Sequence, residues 1–197
     1  YGMARGLHSS LPSLIGRVLS PLAAACVRVD TYVHANVATE ADLYLHRETL
    51  VAALRPVRIE LRDQSRSDAL HDKLAAVAQS TRNTPGTACS WIRNYGTGMT
   101  AGMLHELASL EGLTRLWESH VSLYDAVLYT RIDLRYINEL DVHALLASRP
   151  KELHVPYWHS FRGANNRIAF GKPDAMLIHG HKIEHVEEYV KLGRRLN

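Results

Sequence analysis

Two charged residues, Arg131 and Asp133, follow the apolar run at residues 126–129. A buried charge is costly unless it is paired or bound to a metal, so these residues either reach solvent at a strand end or bind something there. Residues i and i+2 of an extended chain point to the same side. Asp133 could therefore ligate a hard cation while Arg131 contacts a phosphate or orients the carboxylate. The alternative is a solvent-exposed ion pair, which stabilises little.

A second group of polar residues lies between two apolar strand pieces within residues 155–171. Glycine permits close backbone approach, asparagine both donates and accepts hydrogen bonds, and tryptophan offers a flat apolar face. A sugar presents hydroxyls and apolar ring faces, so this mixture suits carbohydrate. The alternative is a hairpin rich in Asn and Gly. The residues concerned are Trp158, Gly163, Asn165, Asn166 and Arg167.

Other chemistries lack their motifs. His181 and His185 have the i, i+4 spacing of a zinc site, but Lys182 follows His181 where a zinc protease carries its glutamate, and no third ligand lies nearby. No G-x-S-x-G hydrolase elbow is present. The glycine-rich residues 96–102 match neither a dinucleotide-binding nor a P-loop pattern. Zinc catalysis, serine hydrolysis and kinase activity are therefore disfavoured.

Composition indicates one folded domain spanning residues 1–197. The 197 residues are 46% hydrophobic, and the net charge of +3 comes from scattered basic residues, which argues against a nucleic-acid partner. No apolar run reaches the roughly 18–20 residues of a membrane span. Cys26 and Cys89 predict two buried thiols or one disulfide. Because the chain starts at Tyr1 without a Met, we expect an excised segment, and targeting stays open.

Helical and extended patterns alternate along the chain. This alternation predicts an α/β fold with a largely parallel central sheet flanked by helices. Ligands of such sheets sit beyond the carboxyl ends of the strands, where Arg131 and Asp133 are expected. We expect strands in residues 27–37, 57–61, 124–130, 152–158 and 168–171. We expect helices over residues 11–22, 40–54, 68–78, 103–121 and 142–147, and a last one from Pro173 to about Gly193.

The segments YDAVLYTRIDLRY and HVPYWHSFRGANNRIAFGKPDAM resemble a group of glycosyltransferase-like proteins found in bacteria, algae and large viruses. Members typically show a strand, an R-x-D element, a helix, a VP…W…G-N-D-R-F-A-x-G segment and a closing helix. Upstream, YGMARGLHSSL looks like the family's glycine-and-arginine loop after its first strand, and DTYVHANV looks like its second strand. The resemblance covers nearly the whole chain, in the expected order.

The resemblance implies a single GT-A-like, Rossmann-like sandwich that moves a sugar from a nucleotide-sugar donor to a glycan or other hydroxyl acceptor. By that likeness Asp133 binds a divalent cation, Mn²⁺ or Mg²⁺, or the donor ribose. Arg131 stands in place of the first acid of a D-x-D element, and Arg5 contacts the nucleotide. Asn166 and Ile168 depart from the family's Asp and Phe. If that Asp is a base, Asn166 cannot replace it, because an amide does not take up a proton.

Two other functions compete with sugar transfer. An inactive transferase-like domain that binds carbohydrate or a protein partner would explain Asn166 and the R-x-D element. A basic α/β module that binds nucleic acid is the weaker alternative, because the chain lacks an aromatic-basic motif. No catalytic residue is assigned, because Asp133 is occupied in the donor site and Asp125 lies at the wrong end of its strand. Retention or inversion of the sugar configuration therefore stays open.

Overall fold

The computed structural model describes residues 1–64, 96–157, 167–186 and 188. Strands and helices alternate along the described chain, as the sequence predicts, and the molecule is a mixed α/β protein. Its helices are α1 (Leu7–Leu14), α2 (Ser20–Ala24), α3 (Glu40–Leu54), α4 (Gly96–Trp117), α5 (Val142–Leu146) and α6 (Pro173–Gly180). A π-helical turn, Ile15–Leu19, joins α1 to α2, and 3₁₀ turns follow α4 and α6 at Glu118–Leu123 and Lys182–His185.

The first three strands form a parallel sheet. They are β1 (Gly2–Met3), β2 (Tyr32–Val37) and β3 (Arg58–Asp63), in the order β1-β2-β3. All six residues of β2 pair with β3, but only Ala35 and Asn36 pair with β1. The predicted parallel sheet is therefore confirmed for this part of the chain.

The remaining strands form a second sheet. They are β4 (Val127–Thr130), β5 (Leu153–His154) and β6 (Ile168–Gly171), and β6 lies between the other two and runs antiparallel to both. Tyr1 links the two sheets: its nitrogen donates to the Thr130 carbonyl at 2.9 Å, and the Ile132 amide donates to the Tyr1 carbonyl at 3.0 Å. Tyr1 thus bonds to the residues before and after Arg131. This is the pattern of two parallel strands, so β1 and β4 run in the same direction. The strand order through this link is β3-β2-β1-β4-β6-β5.

Helices cover both faces of the sheet. Side chains of β2 alternate between the faces, as a strand requires. Val33, Ala35 and Val37 are buried in the core with α1 and α3, whereas His34 faces α4, where its Nδ1 lies 3.1 Å from the Ser109 hydroxyl. The core beneath α4 and α6 comprises Tyr1, Leu110, Leu113, Trp117, Tyr129, Ala169 and Met176. The central strand β2 is therefore largely buried on both faces, whereas the outer strand β3 carries Arg58, Glu60 and Arg62 and is partly exposed.

Several element boundaries differ from the sequence prediction. The first helix begins at Leu7 rather than near residue 11, and α4 spans Gly96–Trp117 rather than residues 103–121, so the glycine-rich residues 96–102 are helical. The helix that begins at Pro173 ends at Gly180, and a 3₁₀ turn follows it at Lys182–His185. Of the remaining predicted span to Gly193, the structure describes residues 186 and 188, and both are helical. The predicted helix at residues 68–78 lies outside the described residues. Cys26 is a free, exposed thiol, so its predicted burial is wrong, and Cys89 lies outside the description.

Candidate functional site

The carboxyl ends of β1 and β4 lie side by side, because Tyr1 bonds on both sides of Arg131. After β1 the chain turns through Arg5 and Gly6 into α1. Gly6 has φ 61°, a left-handed conformation that glycine adopts without strain, and no side chain caps the helix that follows. The loop therefore places Arg5 and the free amides of the α1 N-terminus beside the end of β4.

Arg131 and Asp133 form a partly buried two-pronged ion pair. Arg131 Nε donates to Asp133 Oδ1 at 2.9 Å, and Arg131 Nη2 donates to Asp133 Oδ2 at 2.7 Å. The third nitrogen, Nη1, donates to Glu106 Oε2 of α4 at 2.8 Å. The Asp133 side chain is 3% exposed. The guanidinium plane is thus fixed between two carboxylates, and the predicted proximity of Arg131 and Asp133 is confirmed.

Arg5 approaches the same carboxylate from the solvent side. Its Nε lies 3.6 Å from Asp133 Oδ2, and its side chain is 72% exposed. Arg5 is 128 residues from Asp133 in sequence, so only the parallel alignment of β1 and β4 brings them together. The sequence prediction that Arg5, Arg131 and Asp133 share one sheet edge agrees with this arrangement. Arg5 presents a positive charge to solvent, whereas Arg131 is shielded.

Neighbouring groups hold the ion pair in place. Burial lowers the pKa of Arg131, but its hydrogen bond to Asp133 and the charge of Glu106 outweigh burial and raise that pKa above its ordinary value. The Tyr136 hydroxyl donates to the Arg131 carbonyl at 2.9 Å. Gly2, at φ 113°, forms the floor, since a Cβ there would lie 3.5 Å from Asp133 Oδ1. The pair is therefore preorganised by both backbone and side chains.

A buried lysine lies on the α4 side of the cluster. Burial lowers the pKa of Lys182 to about 8, and the nearby negative charge of Glu106 partly offsets that effect. Lys182 follows α6, far from Arg131 in sequence. Glu106 thus connects the ion pair at the sheet edge with a second cation behind α4.

The predicted sugar-binding loop lies largely outside the described residues. Trp158, Gly163, Asn165 and Asn166 all fall in residues 158–166, and their roles stay predictions. Arg167 is described, and its carbonyl accepts a hydrogen bond from the Arg131 amide at 3.2 Å. Arg167, where the described chain resumes, therefore lies beside Arg131.

The described neighbours of Asp133 fit an anion better than a cation. Both oxygens of its carboxylate accept from Arg131, and Arg5 lies within ion-pair distance. Mg²⁺ and Mn²⁺ prefer several oxygen ligands, and two guanidinium groups repel them. A cation at Asp133 would require Arg131 to release at least one oxygen. The predicted metal role of Asp133 is untested and stays a prediction.

A different group of possible metal ligands lies on the far side of α4. Glu111, His181 and Glu184 each bring a ligand atom within 4.8 Å of the others. Arg115 neutralises two of them, with Nη2 at 2.7 Å from Glu111 and 3.5 Å from Glu184. The i, i+4 spacing in the sequence pairs His181 with His185 instead. The arrangement serves as an ion-pair network that fastens α4 to the turn after α6.

Sequence reasoning missed Glu106, the second carboxylate that accepts a hydrogen bond from Arg131. Its signal is a lone carboxylate between the buried residues Leu104 and Leu107 of α4. A charge beside an apolar stripe usually reaches solvent, so the residue gave no reason to expect a partner on another element. Only the packing of α4 across the ends of β1 and β4 reveals the contact.

The arrangement can bind and orient an anion at a sheet edge. Arg5 supplies an exposed charge, the uncapped start of α1 supplies amide donors, and Asp133 fixes the direction of both arginines. No proton-transfer group with a substrate-facing geometry is evident among the described residues of this cluster. Comparisons of the chain with protein-family models, with curated proteins and with solved structures found no match.

Proposed function

We propose that the protein is a nucleotide-sugar-dependent glycosyltransferase whose donor diphosphate binds at the carboxyl ends of β1 and β4. The observation that carries the proposal is the convergence of Arg5, Arg131 and Asp133 at that edge. The sequence resemblance to GT-A-type transferases names the same three residues as donor ligands. The resemblance and the proximity of these three side chains both support the proposed site.

The strand order supports a ligand site at this place. Chain order reverses between β1 and β4, since β2 and β3 lie on one side of β1 and the later strands lie on the other. In open α/β sheets the crevice at such a reversal, beyond the carboxyl ends of the strands, is where ligands bind. A GT-A-like sandwich, the finer assignment of the fold, is part of the proposal.

The chemistry of the edge suits a diphosphate. An exposed arginine forms two-pronged hydrogen bonds with phosphate oxygens, and a helix N-terminus offers amides and a partial positive charge. Both features are present here within three residues of sequence: Arg5 is the exposed arginine, and α1 begins at Leu7. Arg131 keeps Asp133 engaged, so the carboxylate does not repel the incoming anion as a free charge would. Transfer loads negative charge on the departing diphosphate, which these donors stabilise.

A divalent cation is the remaining part of the donor site. Mn²⁺ or Mg²⁺ would neutralise the diphosphate when bound. Asp133 could ligate the ion, together with the donor phosphates, only where Arg131 releases one of its two oxygens. We therefore expect the cation to bind together with the donor and not alone.

The acceptor side is assigned to the loop of residues 158–166 and to Arg167. Trp158 stacks on a sugar ring, and Asn165 bonds its hydroxyls, while Gly163 lets the backbone approach the ligand. An acceptor hydroxyl attacks the anomeric carbon, and the bond to the diphosphate breaks. Asn166 takes no proton, so a base, where the reaction inverts, comes from another group.

A thermal-shift screen of nucleotide sugars, each with and without Mn²⁺, tests the proposal. We expect one nucleotide class to raise the melting temperature by several degrees, with release of nucleoside diphosphate when an acceptor sugar is added. Stabilisation by free glycans without any nucleotide response would favour the second candidate, an inactive carbohydrate-binding domain. Asn166 and the paired state of Asp133 favour that candidate. A response to neither class of ligand would refute both.

A further inference from the structure

The outer face of α3 is apolar and exposed. Side chains three and four residues apart share one face of a helix. The exposed apolar residues with this spacing are Ala41, Tyr44, Leu45, Val51 and Ala52. Tyr44 is 72% exposed, and its hydroxyl donates a hydrogen bond to Glu48, the acidic residue in the middle of the face. The side of α3 that is turned to solvent is therefore mainly apolar.

The opposite face of α3 is buried in the core. Leu50 and Leu54 are buried with Val33 and Ala35 of β2, and Leu43 packs against the same cluster. A surface helix is normally polar on the side that faces away from the core, whereas a helix that is apolar on both sides is covered on both. Contiguous exposed apolar patches mark interaction surfaces. The outer face of α3 thus has the composition of an interface.

The charges along α3 indicate what covers this face. Glu40 and Asp42 lie in the first turn, Arg47 lies next to Glu48 in the middle, and Arg55 ends the helix. An anionic membrane surface attracts a basic face, whereas this helix has an acidic beginning and a basic end. Two copies of α3 packed antiparallel would place each acidic end against a basic end, and their helix dipoles would also be antiparallel. The charge pattern is therefore complementary to itself.

We propose that α3 forms a two-fold dimer interface, in which α3 of one copy packs antiparallel on α3 of a second copy, centred between Arg47 and Glu48. In this register Arg47 of each copy lies opposite Glu48 of the other, and Tyr44 lies opposite Val51. The acidic first turn lies opposite Arg55. A register centred on Glu48 itself would instead oppose two carboxylates, and like charges across an interface are unfavourable.

Small side chains allow the two helices to approach each other. Ala41 and Ala52 lie beside the larger Tyr44, Leu45 and Val51, so large side chains of one helix enter the spaces beside the alanines of the other. Each helix contributes about four turns. A contact of this extent is at the small end of protein interfaces, so we expect a dimer with a dissociation constant in the micromolar range.

Sedimentation velocity of the 197-residue chain, at concentrations from about 1 to about 300 µM, tests the proposal. We expect the unaltered protein to change from monomer to dimer over this range. Tyr44→Glu would bury a charge in the apolar contact and should weaken dimerisation by at least about tenfold. Ile178→Glu, on α6, is the matched control, because Ile178 is also 72% exposed. This variant should dimerise as the unaltered protein does.

Two charge reversals test the register. Arg47→Glu gives each copy two acidic side chains at positions 47 and 48, and Glu48→Arg gives each copy two basic ones. Each variant alone should stay monomeric, because like charges would face each other in the dimer. An equimolar mixture of the two variants should form dimers, because every acidic side chain then faces a basic one. Any effect of a reversal on folding is the same in the mixture as in the separate variants.

Four results would overturn the proposal. The first is an unaltered protein that stays monomeric at every concentration, and the second is equal weakening of the dimer by Ile178→Glu. The third is a mixture of the two charge variants that stays monomeric. The fourth is binding of the monomer to vesicles of anionic lipid without self-association, which would assign the face to a membrane. The inference does not rest on the proposed function, because the three proposed donor ligands lie outside α3.

Discussion

The two oxygens of the Asp133 carboxylate decide how the proposed donor site works. Each accepts a hydrogen bond from Arg131, at 2.9 and 2.7 Å, and the side chain is 3% exposed. A carboxylate this well paired is a positioning group for the arginines, and it becomes a cation ligand only when that pairing changes. Arg5, which is mostly exposed, is then the residue that meets the donor first.

Replacing Asp133 by Asn should destabilise the fold as well as weaken the site. The change leaves Arg131 buried with one carboxylate partner and turns an amide group toward a guanidinium, so we expect a loss of about 3 kcal/mol in the free energy of unfolding. Glu139→Gln is the matched control, because its ion pair with Arg17 at 2.9 Å is largely exposed and should contribute less than about 1 kcal/mol. Urea denaturation of both variants measures the difference. Equal losses would show that burial does not strengthen the Arg131 pair.

Two buried histidines predict the acid sensitivity of the protein. Burial lowers the pKa of His34 from 6.5 to about 4 and, with the charge of Lys182 adding to it, lowers the pKa of His179 from 6.5 to about 3. Both rings are neutral in the folded state, so the unfolded chain takes up more protons below pH 6.5. Stability is therefore complete above pH 6.5 and falls as the pH drops toward 4.

Denaturation midpoints at pH 7 and pH 5 test this expectation. Gln at position 34, in the His34→Gln variant, keeps a hydrogen-bonding group for Ser109 but cannot titrate. The variant should therefore lose less stability between pH 7 and pH 5 than the unaltered protein. His143→Gln, at an exposed position, should leave the loss unchanged. A His34→Gln variant with the full pH dependence would contradict the assignment to His34.

The close packing of helix α4 against β2 depends on the absence of a side chain at Gly112. A Cβ at Gly112 would clash with the His34 ring at Nε2, so only glycine lets the helix approach β2 this closely. Gly112→Ala should therefore cost about 1–3 kcal/mol through overpacking, despite the better helix propensity of alanine. Gly102→Ala, in the same helix with nothing within 4 Å of its Cβ, should instead stabilise by roughly 0.5–1 kcal/mol. Opposite signs in thermal denaturation are the expected result, and two stabilising changes would contradict the packing argument.

The sequence predicts most elements but not how they meet. The sequence predicts α3 at the bounds observed, residues 40–54, because Pro56 cannot continue the helix. From the sequence alone, Gly112 indicates only that α4 is locally less stable, because helix propensity does not include the contact with His34 on β2. The sequence predicts the start of α1 too late, because Ser9 and Ser10 have the residue types of helix caps. In the structure Gly6 takes the N-cap position and α1 begins at Leu7.

At the scale of the whole molecule, the order of the strands brings residues that are distant in sequence together at the proposed site. Arg131 and Asp133 share a strand end and could be predicted together from their spacing. Arg5 could be placed with them only by assuming a parallel sheet, and Glu106 could not be placed at all, because α4 crosses the site from a different part of the chain. The last strands depart from the simplest parallel reading, since β6 runs antiparallel to both neighbours. In the described residues no helix is long and apolar enough to span a membrane.

Calorimetry of donor binding tests the central claim that Arg5 and its neighbours at the sheet edge bind a sugar-nucleotide diphosphate. The titration uses the nucleotide sugar selected by the thermal-shift screen and compares the unaltered protein with Arg5→Ala and Arg149→Ala. Both arginines are mostly exposed, but Arg149 precedes β5 and so lies at the opposite edge of the sheet. We expect Arg5→Ala to weaken binding by at least about tenfold, the loss of one charge-assisted phosphate contact, and Arg149→Ala to leave it unchanged. Equal affinity of the Arg5→Ala variant and the unaltered protein, at equal melting temperatures without ligand, would contradict the account.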